Sequence, residues 1–314
     1  MRITDPFGIR EPELTAPEVA RRAGVSLALA HRLWRALGLP EIEDSEVFFD
    51  DDDVASLTSL REIIDLGLPE EDLVVLARVY GESLSRIADA QTRIFKERIL
   101  DPMAVGGDAR ELRRRISALV PKLLALIQAP LTNSLMRHQA IAMQRLLVSG
   151  DDAGDGGRTM CAGFVDLVDF SRIAEDLSGA DLTELVSRFE DLAIEICADL
   201  GVRLVKVIGD AAMFVSNDAS DALAAATGIV ERVEGDELLP HARAGLDLGE
   251  VVPLGGDYFG HAVNVASRIT AFARPGTVVV SGDVLDAVGD VDVGKIGTQR
   301  LKGVGRETLF KVRF

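Results

Sequence analysis

The stretch SGDDAGDGGR, residues 149 to 158, constrains this chain most, because the hydrophobic period differs on its two sides. Before it, apolar residues recur three and four apart, as on helices. After it, short apolar runs that read as strands alternate with helical patterns. A Gly- and Asp-rich break between two such regimes reads as a flexible linker. The expected organisation is a helical domain over 1–148, a linker over 149–158 and an α+β domain over 159–314. A chain of 314 residues gives each half enough length to bury its own core.

In the first half, Thr15-Ala-Pro-Glu18 reads as a capping box with Pro just inside the helix start, and Gly24 breaks the pattern. A second helix runs from about Ser26 to Gly38-Leu-Pro40. Helix, Gly-containing turn, helix is the spacing of a helix-turn-helix. EVARRAGVSLALAHRLWRALGLP resembles the first two helices of MerR-type DNA-binding regulators, and Arg21, Arg22, His31, Arg32 and Arg35 suit phosphate contacts. The acidic segment EIEDSEVFFDDDD that follows favours a packing module instead. Long helices are expected over 53–66, 69–96 and 110–148, the last with Leu112, Ile116, Leu119, Leu123 and Ile127 at helical spacing. Apolar residues on several of its faces suit a helical bundle or dimer. A lipid regulator such as a fatty acid, held between these helices, is a weaker reading than ordinary packing.

The net charge of −17 is uneven, with 19 basic and 23 acidic residues in 1–150 against 15 and 28 in 151–314. An acidic second half opposes a broad nucleic-acid or anionic-membrane surface. No apolar run approaches the ~20 residues of a membrane span, and MRITDPFGIREPE lacks the apolar core of a secretory signal, so a cytoplasmic chain without a membrane span is expected. Cys161 and Cys197 lack the neighbours of a metal or redox site and read as reduced core residues.

In the second half the expected order is strand 159–166, helix 181–200, hairpin 203–215, helix 219–233 and strand 241–254. Helix 261–273, strand 277–281, a short helix near 283–288 and a strand pair over 295–314 follow. This is a ferredoxin-like order, with helices on one face of an antiparallel sheet. Asp166 ends the first strand and Asp210 lies at the hairpin tip beside Gly209, so both carboxylates reach one sheet edge. Paired Asp oxygens with room for water suit Mg²⁺ bound together with phosphates. Strand alternation puts Lys206 on one face with Leu204 and Ile208.

FVDLVDFS, VKVIGDAAMF, GDYFGHAVNVASR and RLKGV together resemble, in order and spacing, the catalytic domain of class III nucleotidyl cyclases. The helical half resembles the regulatory region of soluble, pH-responsive bacterial adenylyl cyclases of that class. The resemblance implies an α+β chain, an all-α regulatory domain joined to a ferredoxin-like cyclase domain, that converts ATP to cyclic AMP. It implies that Asp166 and Asp210 hold two Mg²⁺ or Mn²⁺ ions, and that Lys206 and Asp257 read adenine. Asn264 would orient the ribose and Arg268 would stabilise the transferring phosphoryl group. Backbone amides of Leu167, Val168, Asp169 and Phe170, with Lys302, would meet the phosphates. Asp169 stands where many relatives have Gly. Since the chain carries one copy of each element, a homodimer with two shared sites is implied. His31 and His138 are the candidate pH sensors of the helical half. GGDYF, residues 255 to 259, is similar to the GGDEF signature of diguanylate cyclases, but Tyr258 replaces its Glu. The competing reading is a DNA- or protein-binding regulator that uses a cyclase-like domain as a dimer platform.

Overall fold

The computed structural model describes residues 12–104, 109–148 and 157–314. The expected linker therefore lies, up to residue 156, outside the described residues, as does most of the amino-terminal stretch. The chain divides into two compact units, Met1–Ser149 and Gly150–Phe314.

The first unit contains β1 (Leu14–Thr15), α1 (Ala16–Ala23), α2 (Leu27–Ala36), β2 (Val47–Phe49), α3 (Asp51–Asp65) and α4 (Glu70–Phe95). A π-helical turn, Lys96–Leu100, leads to α5 (Asp101–Ala104), and α6 (Ala109–Val148) closes the unit. The Thr15 backbone N–H donates to Glu18 at 2.8 Å, and Gly24 ends α1 at φ 72°, a left-handed turn that favours Gly. Val19, Leu33, Leu57 and Leu73 fill the core, with Trp34 stacked on Phe49 at 4.2 Å between ring centroids. The unit is not purely helical, because β1 pairs antiparallel with β2. The acidic segment hides this strand from a charge-based reading; burial of Phe49 anchors it.

Three arginines of the helix-turn-helix meet acids: Arg22 pairs with Asp51 at 2.9 Å, Arg32 with Glu71 at 2.6 Å and Arg35 with Glu41 at 3.2 Å, and His31 lies 3.0 Å from Asp44. Arginines matched in this way are less available to a phosphate backbone. Helix α6 has Pro121 and Pro130 within it and leaves Leu126, Leu135, Met136, Ile141 and Met143 exposed. The stretch Arg114–Gln144 is, among the described residues, long and apolar enough by length and composition to cross a membrane, with a mean hydropathy of 1.2 in its most apolar 18-residue window, of which 6% is buried. The sequence expectation counted apolar runs, whereas this helix qualifies on the average of one 18-residue window.

The second unit contains β3 (Arg158–Leu167), α7 (Phe170–Asp176), α8 (Gly179–Asp199), β4 (Arg203–Ile208), β5 (Ala211–Ser216), α9 (Ala219–Glu234) and β6 (Ala242–Leu254). There follow β7 (Asp257–Phe259), α10 (His261–Phe272), β8 (Thr277–Ser281), α11 (Gly282–Val288), β9 (Val293–Leu301) and β10 (Gly305–Val312). The strand order is β4-β5-β3-β6-β8-β10-β9, with β7 paired to the end of β6. Its first four strands are antiparallel neighbours in the ferredoxin-like order. Two expectations need correcting. β8 runs parallel to β6, because α10 is a crossover connection between them. The helices also cover both faces. Cys161, Val165 and Leu167 of β3 face Phe189, Ala222 and Ile229 of α8 and α9, while Met160 and Ala162 face Ala262 and Ala266 of α10. Gly245 makes that second layer feasible, since a Cβ there would lie 2.3 Å from the Thr270 backbone nitrogen.

Burial pushes both thiols, Cys161 and Cys197, up to about 12, so they stay protonated and inert. The short loop from β3 to α7 passes through Asp169 at φ 57°, the sole non-Gly residue with positive φ among those described. On β6, Asp247 is 5% exposed. Burial pushes its carboxyl up to about 6, and the charges of Glu307 and Asp283 add to this against a hydrogen bond from Ser281.

The Asp247 shift has a defined sign. Between its ordinary value of 3.8 and about 6, the folded chain holds a proton that the unfolded chain has lost, so stability falls as pH rises through this window. Asp247→Asn should flatten that slope and stabilise the fold above pH ~7 by on the order of 2 kcal/mol, read as urea unfolding free energy against pH. An unchanged slope would refute the assignment. At the loop, Asp169→Gly should be more stable than Asp169→Ala by about 1 kcal/mol, since only Gly adopts positive φ without strain. Equal midpoints for the two variants would show that the loop relaxes.

Candidate active site

Register places the first two carboxylates. Asp166, near the end of β3, sits opposite Ala211 of β5 on one side and Arg243 of β6 on the other. Asp210 occupies the two-residue turn before β5 with Gly209, which has φ 61°. The Leu167 N–H donates to the Asp210 carbonyl at 2.9 Å and so fixes this turn against the end of β3. The structure thus brings Asp166 and Asp210 to one edge of the sheet. Partial burial raises the Asp210 carboxyl above its ordinary value; its own backbone N–H opposes this, the negative charge of Asp166 adds to it and Arg243 offsets part.

Lys206 and Asp257 form an ion pair although 51 positions separate them. Burial acts to raise the Asp257 carboxyl, but hydrogen bonds from the Lys206 ammonium and the Tyr258 N–H, with the charge of Lys206, hold it below its ordinary value. Arg203, also on β4, lies 5.2 Å from the Tyr258 ring centroid, a second tie between β4 and β7. The face assigned to Lys206 needs correction. A bulge in β4 sets Leu204 opposite Phe214 and Lys206 opposite Met213. Leu204 and Val207 therefore pack toward α8 and α9, while Lys206 shares the other face with Met213. The extra residue breaks the two-residue alternation and re-aims the lysine toward β7.

Asn264 and Arg268 stand four residues apart on the exposed face of α10, with no side-chain partner among the described residues. Their buried neighbours Val265, Ala266 and Ile269 turn them outward, away from their own core. Lys302 is exposed in the turn between β9 and β10 rather than within a strand. The loop after β3 departs from expectation. Its Leu167 N–H is taken by Asp210, and its Val168 N–H by the His241 carbonyl at 2.7 Å, leaving the amides of Asp169 and Phe170. The Asp169 carboxylate lies 3.6 Å from Arg172.

The residue that sequence reasoning missed is Arg243. Its Nε and Nη2 donate to Asp166 Oδ2 at 3.0 and 2.6 Å. Alternation in RAGLDLGE would have shown its side of the strand, but only the β3–β6 register places it opposite Asp166. Two carboxylates, one feeling the charge of the other at half-buried positions, form a donor set that a divalent cation relieves. Among the described residues no third His, Cys, Asp or Glu joins them, so the other ligands of a hard cation would be water, carbonyl or phosphate oxygens.

Known proteins give this geometry its context. Residues 7–140 match the family model described as the adenylate cyclase regulatory domain. The chain is 36% identical over 315 residues to a pH-sensitive adenylate cyclase of Mycobacterium tuberculosis, covering 96% of this chain and 78% of that one. It is 34% identical over 285 residues to an adenylate cyclase of Streptomyces coelicolor, covering 88% and 74%. An adenylate cyclase of Glutamicibacter nicotianae is 33% identical over 282 residues, covering 85% and 70%. With a regulatory region ahead of a ferredoxin-like unit that ends its central strands in paired carboxylates, the chain belongs to the adenylate cyclase family.

Proposed function

We propose that the protein is a class III adenylyl cyclase that converts ATP to 3′,5′-cyclic AMP and pyrophosphate in sites shared between two copies of the chain. The observation that carries this reading is the meeting of Asp166 and Asp210 at one sheet edge, with Lys206 paired to Asp257 on the same unit. Asp166 and Asp210 hold the divalent ions, Mg²⁺ or Mn²⁺, two per site. When bound, such ions lower the pKa of a coordinated hydroxyl and neutralise charge on the triphosphate. Lys206 donates to adenine N1 and Asp257 accepts from the 6-amino group. Guanine presents an oxygen there, and that oxygen would face the carboxylate. The amides of Asp169 and Phe170, with Lys302, contact phosphate oxygens.

The second copy supplies Asn264 and Arg268. Their outward direction on α10 suits groups that serve a neighbour. Asn264 orients the ribose. The 3′-oxygen forms its bond to the α-phosphorus as the bond to the β-phosphate oxygen breaks, pyrophosphate leaves, and the hydroxyl proton is lost to water. Arg268 faces the negative charge that grows on the α-phosphoryl oxygens. Exposed Ile208, Val252, Leu254, Phe259 and Phe272 give the second unit apolar surface for such a partner, and the exposed Leu and Met side chains of α6 give the first unit the same. The regulatory half then acts by biasing how the two cyclase units face each other.

Purified protein with Mn²⁺ and ATP should form cyclic AMP, and GTP should be a poor substrate. Asp210→Ala should abolish turnover without changing the mass of the assembly in solution, and Arg268→Ala should lower the rate by about 100-fold or more. Mixing the two inactive variants should restore part of the activity, because a mixed dimer keeps one complete site. Turnover by Asp210→Ala, or no recovery on mixing variants that do exchange subunits, would overturn the shared-site mechanism.

A further inference from the structure

Arg243 is gripped at both ends of its guanidinium. Two nitrogens donate to the same oxygen of Asp166, at 3.0 and 2.6 Å, and Nη1 donates to the Ala271 carbonyl at 3.2 Å. Ala271 lies in the last turn of α10, where carbonyls lack a partner within the helix and form the negative end of its dipole. The side chains of Arg243 and Asp166 are 26% and 24% exposed, so the pair is partly withdrawn from water and its hydrogen bonds are charge-assisted.

Arg243 takes the lone pairs of Asp166 Oδ2, so a cation shared by Asp166 and Asp210 is left with Oδ1 of Asp166, beside a fixed positive charge. We propose that Arg243 is a positioning residue: it occupies Asp166 as a resident counter-cation in the ligand-free protein and competes with a divalent ion for that carboxylate. The inference rests on the reading of Asp166 and Asp210 as metal ligands. The Ala271 carbonyl, already bonded to Nη1, keeps the guanidinium in place when Asp166 turns to the metal, so its positive charge stays beside the site. Before the metal arrives, the contact with Arg243 holds Asp166 oriented, whereas Asp210 has no cation of its own among the described residues. Metal affinity in the absence of nucleotide is therefore set low by this chain itself. It rises when an anionic ligand gives the freed guanidinium a new partner, so metal and nucleotide load together.

The test is Mn²⁺ binding to the full chain without nucleotide, read from the electron paramagnetic resonance signal of free Mn²⁺. Arg243→Gln should bind Mn²⁺ about ten-fold more tightly than the parent, the scale of losing charge-assisted hydrogen bonds to one carboxylate. Arg243→Lys should move affinity the same way by less, and it carries the test if the Gln variant does not fold by circular dichroism. Arg313→Gln, which breaks only the exposed pair with Asp292, should leave nucleotide-free Mn²⁺ affinity unchanged. Asp166→Asn should weaken binding. If Asp166→Asn binds as the parent does, the metal-site reading fails and takes the proposal with it. If Asp166→Asn weakens binding while both Arg243 variants bind as the parent does or more weakly, the counter-cation role alone is refuted.

Discussion

The register of β3 between β5 and β6 is the constraint on which the catalytic half depends. One strand, buried on both faces, sets its last acidic residue between the Asp210 turn on one side and Arg243 on the other. A slip of one residue would turn Asp166 to the opposite face of the sheet and bring an apolar residue to the edge. Buried alternation along Met160, Cys161, Ala162 and Val165 prevents that slip, since each face has its own helices to satisfy. The electrostatics of the site thus follow from packing at residues that have no chemical role.

Much of this was legible in the sequence. Capping at Thr15, the left-handed turn at Gly24, and the strand and helix spans of the second half apart from α7 and β7 follow from local patterns of a few residues, which the folded structure keeps. The approach of Asp166 and Asp210 follows from strand order alone. What escaped depends on pairing between distant segments. The bulge that re-aims Lys206 leaves no mark in VRLVKVI, and the β1–β2 pair is held by the burial of Phe49 beneath an acidic surface. The parallel pairing of β8 and the placing of α10 on the second face required knowing that Gly245 leaves room for a helix. Arg243 escaped for the same reason, as its meaning lies in what stands across the sheet.

The two halves balance charge differently. In the helix-turn-helix each of several cations is matched to an acid from another element, which makes electrostatics serve packing. In the cyclase half the carboxylates at the sheet edge outnumber the cations beside them. That imbalance is costly to a bare fold but gives a site whose stability improves when positive charge arrives.

Trp34, stacked against Phe49 in the first unit, is the only tryptophan of the 314 residues. Its indole emission therefore reports on the helical half alone, with the cyclase half silent at the same wavelength. Any stimulus that loosens or tightens the regulatory core can be followed optically in the native chain, without a label and independently of turnover.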